Sequence, residues 1–251
     1  MYNTLIAYYK VKNQIVIPVA SSGIAALLLD GGMTAHSKFK IPIVVNELSV
    51  CNIKLQSPEA QAIRDAKLII WDEATMANKY CFEAVDRLLR DIMKTVDPNL
   101  NRIPFGGKKF LAGGDFRQTL PIIIKGSRAD ILYATLKSSF LWSYVQKFKL
   151  ITNMRLTNNS SENYREFLMK IGNGTLPTQS FNDVPDFIEI PFNMWQPLNK
   201  ENVFENIFDD FEKCHACPDY LNGRAILCPL NKDTDEINQL ASDKLPGNYT
   251  D

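Results

Sequence analysis

The chain has 251 residues, 45% of them hydrophobic and 22% charged, with 28 basic residues balanced by 28 acidic ones. That composition is globular and leaves no overall charge to draw the chain to nucleic acid or an anionic membrane, so any such binding needs a local patch. No apolar run approaches the roughly 18 residues that span a bilayer, residues 1–20 lack a secretory-signal layout, and five scattered cysteines point to an intracellular, reducing compartment.

Residues 2–10 (YNTLIAYYK) set Leu5, Ile6 and Tyr9 on one stripe of a short helix. A strand follows over 15–20 (IVIPVA), weakened only by Pro18. Ser21-Ser22-Gly23 then turns into an apolar helix over 24–29. Small hydroxyl residues at a strand-to-helix turn leave backbone N–H groups for a phosphate, and Ser22 reads equally well as a plain N-cap. After Gly31-Gly32, the residues Thr34, His36, Ser37, Lys38 and Lys40 crowd round Phe39. Hydroxyls, cations and one aromatic at this spacing suit the phosphates and a stacked base of single-stranded nucleic acid. The same pattern fits an ordinary helix start with a solvated face. Residues 41–67 lose periodicity and read as an insertion that ends in a helix over 58–65.

The stretch LIIWDEATM, residues 68–76, organises the rest. Leu68 to Trp71 form an apolar run fit for a strand buried on both faces, and Asp72 and Glu73 stand at its end. Ligands bind at the carboxyl ends of strands in open parallel sheets, and adjacent acids there repel unless a cation or polar ligand compensates. A nucleotide site satisfies both conditions, with Asp72 holding Mg²⁺ through water and Glu73 orienting the attacking water. Two solvated acids ending a strand are the simpler alternative.

An amphipathic helix follows over 80–94, then a loop rich in Pro and Gly, then a short strand over 109–112. That strand runs into Gly113-Gly114-Asp115-Phe116-Arg117-Gln118. Asp115 and Gln118 would sit beside Asp72 if the two strands are neighbours, and Gln118 could then bond a terminal phosphate. Further on, the sequence predicts a helix over 128–136, a third strand over 146–151 (QKFKLI) and, after it, Arg155. Arg155 is a surface charge or, in a phosphoryl-transfer site, the charge-stabilising finger. A helix over 162–171 ends in Gly172-Asn173-Gly174, a strand covers 187–190 and an acidic-faced helix covers 203–211. Cys214 and Cys217 have zinc-like spacing, but no second pair completes a four-ligand site. A strand over 224–229 and a helix over 233–245 read as the opening of a second α/β domain.

Four of these clusters, ASSGIAALLLDGGMTAHS, LIIWDEATM, FLAGGDFRQTLP and LITNMR, resemble in order the motifs of petite-integration-frequency (PIF) type DNA helicases. They look most like the branch related to the helicase region of Helitron transposons. The resemblance implies an α/β RecA-like, P-loop NTPase fold of superfamily one, a parallel sheet flanked by helices, and ATP-driven 5′ to 3′ movement on single-stranded and forked DNA. It implies that Asp72 binds Mg²⁺ with Asp115 beside the nucleotide, that Glu73 is the catalytic base, that Gln118 senses the γ-phosphate and that Arg155 is the arginine finger. Ser22, Thr34, His36, Lys38 and Phe39 would lie on the DNA side, and part of 41–67 would be the family's wedge. The implied organisation is a first RecA-like domain over 1–155, a helical and irregular extension over 156–222, and the start of a second RecA-like domain over 223–251. Nuclear work in repair, recombination or telomere maintenance follows by family. The Gly-rich loop ending in Gly-Lys-Thr is expected immediately before the first helix, and no G-x-x-x-x-G-K-[ST] occurs in the 251 residues. Gly106-Gly107-Lys108 precedes a strand instead of opening a helix. The sequence therefore reads as a fragment shortened at both ends, inactive alone, with a DNA-binding remnant as the alternative.

Overall fold

The computed structural model describes residues 1–152, 154, 162–181, 184–195 and 198–246. They fall into two units, Met1–Thr175 and Leu176–Asp251.

In the first unit, helix α1 (Tyr2–Val11) leads into β1 (Val16–Ala20), and α2 (Gly23–Leu27) into β2 (Met33–Thr34). Helices α3 (Ala35–Phe39) and α4 (Pro58–Asp65) precede β3 (Leu68–Asp72). The longest helix, α5 (Lys79–Met93), precedes β4 (Phe110–Ala112), and α6 (Arg128–Ala134) and α7 (Glu162–Asn173) follow. The four strands form one all-parallel sheet in the order β2-β1-β3-β4, which makes β3 internal. Pro18 is tolerated in β1 because β2 pairs only with Val19 and Ala20, so no ladder bond is asked of residue 18 on that side.

Alternation along the strands divides the interior in two. Ile17, Val19, Ile69 and Trp71 join a large core with Phe39, Ile63, Phe82, Val85 and Leu89. Leu68 and Ile70 face the other way, onto Ile6 of α1, with Leu111 packed alongside. Burial on both faces explains why the strand reads as an unbroken apolar run. Trp71 is the hub of the larger core. Its ring lies 6.2 Å from Phe39, 4.3 Å from Phe82 and 6.2 Å from Phe110, contacts worth about 0.5–1.5 kcal/mol each beyond plain burial.

The loop between α5 and β4 is pinned to the helix. Asp86, almost wholly buried, accepts from Arg90 Nε at 2.7 Å and from the Phe105 backbone N–H at 2.5 Å. Gly106 has φ +60°, and a Cβ there would lie 2.6 Å from the Leu89 carbonyl oxygen.

In the second unit, β5 (Thr178–Phe181) and β6 (Val184–Ile188) form an antiparallel pair. Helices α8 (Lys200–Ile207), α9 (Phe211–Cys214), α10 (Pro218–Asn222) and α11 (Asn231–Asp243) follow. Lys200 bridges to Asp233 and Glu236 on α11, while Phe204, Phe208 and Phe211 form a ring cluster.

Several sequence expectations are corrected. Residues 146–151 form no strand, and Phe148, Leu150 and Ile151 are exposed. Residues 224–228 are also irregular, with Leu227 exposed. Both runs have strand-like composition but no ladder partner among the described residues. The helix expected over 203–211 breaks at Phe208, which leaves helical geometry (φ −117°, ψ 58°) and separates α8 from α9.

Replacing Gly106 with Ala is expected to destabilise the first unit by about 1–3 kcal/mol, from overpacking against α5 together with the disfavoured positive φ. Urea unfolding followed by circular dichroism checks this. A stability equal to that of the wild type would mean that the loop is free of the helix.

Candidate nucleotide site

The parallel register sets the ends of β1, β3 and β4 side by side. Ala20 pairs with Asp72, and Trp71 pairs with Ala112. Past the last pairs, backbone bonds stitch the three ends together. Ser21 N–H donates to the Asp72 carbonyl at 3.1 Å, Gly113 N–H to the Trp71 carbonyl at 2.9 Å, and Ala74 N–H to the Gly113 carbonyl at 2.8 Å. The Trp71 indole N–H donates to Ser21 Oγ at 2.9 Å. Thr75, buried, donates its hydroxyl to the Asp115 carbonyl at 3.3 Å. Gly114 fits tightly there, since a Cβ would lie 2.9 Å from two Thr75 side-chain atoms.

Asp72 and Glu73 are adjacent in sequence but not alike in geometry. Asp72 closes the strand, and its Oδ1 accepts the Glu73 N–H at 2.9 Å. Glu73 is left-handed, with φ 51° and ψ 38°, a conformation that costs about 1–3 kcal/mol and persists only where the surroundings impose it. The two backbone bonds on either side of the residue do so here. The strand stops, the chain turns sharply, and both carboxylates remain at its end.

Tyr2, at the start of α1, completes the group. Its hydroxyl lies beside the Asp72 carboxylate, where a Gly113 side chain would begin: the Cβ position is 1.5 Å from the hydroxyl and 3.7 Å from Asp72 Oδ1. Burial above all, then the charge of Asp72, the bond to it and the charge of Glu73, push the phenol up to about 12. The first turn of α1 has no side-chain cap, so its backbone N–H groups remain suited to an anion.

Among the described residues no group of three or more His, Cys, Asp or Glu side chains could hold a metal by itself. Mg²⁺ needs no such group, because it keeps several waters and is held by one or two carboxylates together with substrate phosphates, and the Asp72 and Glu73 pair at the end of β3 is compatible with that.

The remaining expected residues divide. Asp115 is half-buried and its Oδ1 accepts the Arg117 N–H at 3.0 Å, while Gln118 is exposed on the turn closed by its N–H to the Asp115 carbonyl. Arg117 is tied to Asn173 of α7 at 2.8 Å. Arg155 lies outside the described residues.

Of the residues that the sequence assigns to nucleic acid, Ser22 caps α2, its Oγ accepting from the Ala25 N–H, and Thr34 caps α3 through the Ser37 N–H. His36 is half-buried, 4.0 Å from Cys81 Sγ, and burial lowers its pKa, so the ring is neutral at pH 7. Lys38 is partly exposed. Phe39 corrects the sequence reading, because it is fully buried and its ring stacks on Trp71. A residue in the core cannot also offer a face to a base. Tyr2, Thr75 and the two glycines were not anticipated as site residues. Residues 2 and 72 are too far apart for spacing to relate them, and the one available signal was the glycine pair at the end of a strand.

A family model described as PIF1-like helicase matches residues 1–182. The ATP-dependent DNA helicase RRM3 of Saccharomyces cerevisiae is 30% identical over 137 residues, 54% of this chain and 18% of its own length. The ATP-dependent DNA helicase PIF1 of Candida albicans is 25% identical over 195 residues, covering 66% and 21% respectively. Among solved structures, Bacteroides Pif1 with ADP-AlF3 and single-stranded DNA superposes with a TM-score of 0.63 at 21% identity, over 97% of this chain and 50% of that one. Candida albicans Pif1 gives 0.57 at 17% identity, over 97% and 47%. The sheet and its flanking helices are thus part of the RecA-like fold of those helicases. The chain spans about a fifth of the length of these curated relatives and half that of the solved chains.

Replacing Ser21 with Ala leaves the buried Trp71 indole N–H without its acceptor and is expected to cost about 1–3 kcal/mol. Thermal unfolding together with tryptophan fluorescence reads the loss. An unchanged melting temperature would show that the indole bond contributes nothing.

Proposed function

The chain belongs to the PIF1-like helicase family, and we propose that it forms part of an ATP-dependent DNA helicase whose hydrolytic site lies at the ends of β3 and β4. The observation that carries this reading is the parallel pairing of those strands, which gathers Asp72, Glu73 and the Asp115–Gln118 turn at their carboxyl ends. In this reading Asp72 holds a hydrated Mg²⁺, Glu73 takes the proton of the attacking water, and Gln118 bonds the terminal phosphate with Asp115 fixing its turn. Arg155 is the charge-stabilising finger. When bound, Mg²⁺ neutralises charge on the phosphates of ATP. The N–H groups opening α1 suit the same phosphates.

Ser22, Thr34, His36 and Lys38 are proposed for the DNA side, with His36 acting as a neutral hydrogen-bonding group. Phe39 is not. Single-stranded and forked DNA are the proposed partners, in keeping with a structure of Bacteroides Pif1 bound to single-stranded DNA and one of two coordinating Pif1 helicases at forked duplex. Movement 5′ to 3′, a place in the nucleus, roles in repair, recombination or telomere maintenance, and kinship with the Helitron branch are part of the same proposal. So is the division into a first RecA-like domain over 1–155, an extension over 156–222 and the start of a second over 223–251. No helix among the described residues is long and apolar enough to cross a membrane.

A DNA-binding remnant is the second reading. Salt-dependent binding to single-stranded DNA without ATP turnover would favour it.

ATP hydrolysis by residues 1–251, with and without single-stranded DNA, decides between them when measured beside a version with a family phosphate loop joined upstream. Turnover is expected only in the extended version, and Glu73→Gln should lower it at least about 100-fold, as loss of a general base does. If both versions are inert yet bind single-stranded DNA in a salt-dependent way, the remnant reading holds. Turnover by residues 1–251 alone would refute the account of the phosphate site.

A further inference from the structure

We propose that Tyr2 is a positioning residue of the cation site, its phenol holding the Asp72 carboxylate in the orientation that leaves an oxygen open to a hydrated divalent cation. This rests on the proposed role of Asp72.

The strand alternation places the two groups together. Leu68, Ile70 and Asp72 point to one face of β3, and Leu111 and Gly113 to the same face of β4. That face is covered by α1, whose Ile6 packs on Leu68 and Ile70. Tyr2 stands one turn before Ile6 on the same helix stripe, so it lies over the next residues along, Asp72 and Gly113.

Its ring is fixed from two sides, against the cluster containing Ala20, Ala25 and Leu29 and against the one containing Ile70. Packing alone would be served by phenylalanine. The hydroxyl is different, because it fills the space a Gly113 side chain would take and lies next to the Asp72 carboxylate.

The Asp72 carboxylate accepts the Glu73 N–H and has the Tyr2 hydroxyl beside it as a second neutral donor within reach. A carboxylate that must bind a cation through water has to be oriented without being neutralised, and two neutral donors do this. An ammonium or guanidinium would orient it as well but would compete with the cation by charge.

Residue 113 bears on the same arrangement. A Cβ there would meet chiefly the Tyr2 hydroxyl, 1.5 Å away, and Cζ, 2.9 Å away, so the ring would have to leave its seat. Gly113→Ala should then displace the phenol while leaving the sheet intact.

Mn²⁺ as a paramagnetic probe tests this on residues 1–251 without any need for catalysis. Methyl signals of Ala74, two residues beyond Asp72, and of Ala20, its register partner, are followed by NMR as Mn²⁺ is added. In the wild type both broaden at low Mn²⁺, and Asp72→Asn abolishes the effect. Tyr2→Phe, which keeps the ring, should raise the Mn²⁺ needed by about tenfold, as loss of a group orienting a metal-binding side chain does. Gly113→Ala should do the same with the tyrosine still present. Broadening in Tyr2→Phe at wild-type Mn²⁺ concentrations would overturn the proposal and reduce Tyr2 to packing. Broadening that is absent in the wild type, or survives Asp72→Asn, would instead overturn the cation role of Asp72 and the inference with it.

Discussion

Strand β3 is paired along both edges, with β1 over five residues and β4 over three, and almost every feature of the site follows from that. A strand paired on both sides cannot slip, because a shift of one residue would exchange Trp71 for Ile70 on the large core. Register in turn decides what stands beside Asp72. Ala20 and Ser21 come from one neighbour and Gly113 to Asp115 from the other. No single side-chain contact could assemble that set, since the residues come from three segments. The parallel ladder does it through backbone bonds, to which the Thr75 hydroxyl and the Trp71 indole add one bond each.

Trp71 makes the arrangement unique. It is fully buried, has aromatic partners on α3, α5 and β4, and spends its one polar atom on Ser21. The hydrophobic core and the site therefore meet in consecutive residues, Trp71 in the one and Asp72 in the other. Phe39 shows the same economy from the opposite direction. It follows a polar, cation-bearing segment that resembles a nucleic-acid surface, yet it anchors that segment to the core. The hydroxyls and lysines around it are thereby held on a short rigid helix.

Where residues carry their own local instructions, the sequence was enough. The apolar run of β3, the stripe of α5 and the Ser57-Pro58 start of α4 each specify an element without help from distant residues. The pairing of the two strand ends followed from topology once both were recognised as parallel strands. Phe39 could not be placed correctly, because an aromatic among cations has the same appearance whether it faces solvent or core. Residues 146–151 failed for another reason. Alternating apolar residues describe what a strand would bury, but a strand exists only where a ladder accepts it. Among the described residues none does.

Tyr2 was out of reach for a third reason, and it shows what kind of information a sequence withholds. A helix stripe and a strand alternation are each readable, but the angle at which one crosses the other is not. That angle depends on how Ile6 seats on Leu68 and Ile70, a packing problem involving residues more than sixty positions apart. Once it is settled, the rest is forced. The residue one turn before Ile6 must overhang the end of β3, and whatever occupies it must share space with the residue after β4. A Cβ at 113 would lie 1.5 Å from the Tyr2 hydroxyl, so the tyrosine can hold this place only while residue 113 has no side chain. The identity of residue 113 is thus set by a residue at the far end of the chain, which no local reading of the glycine reveals.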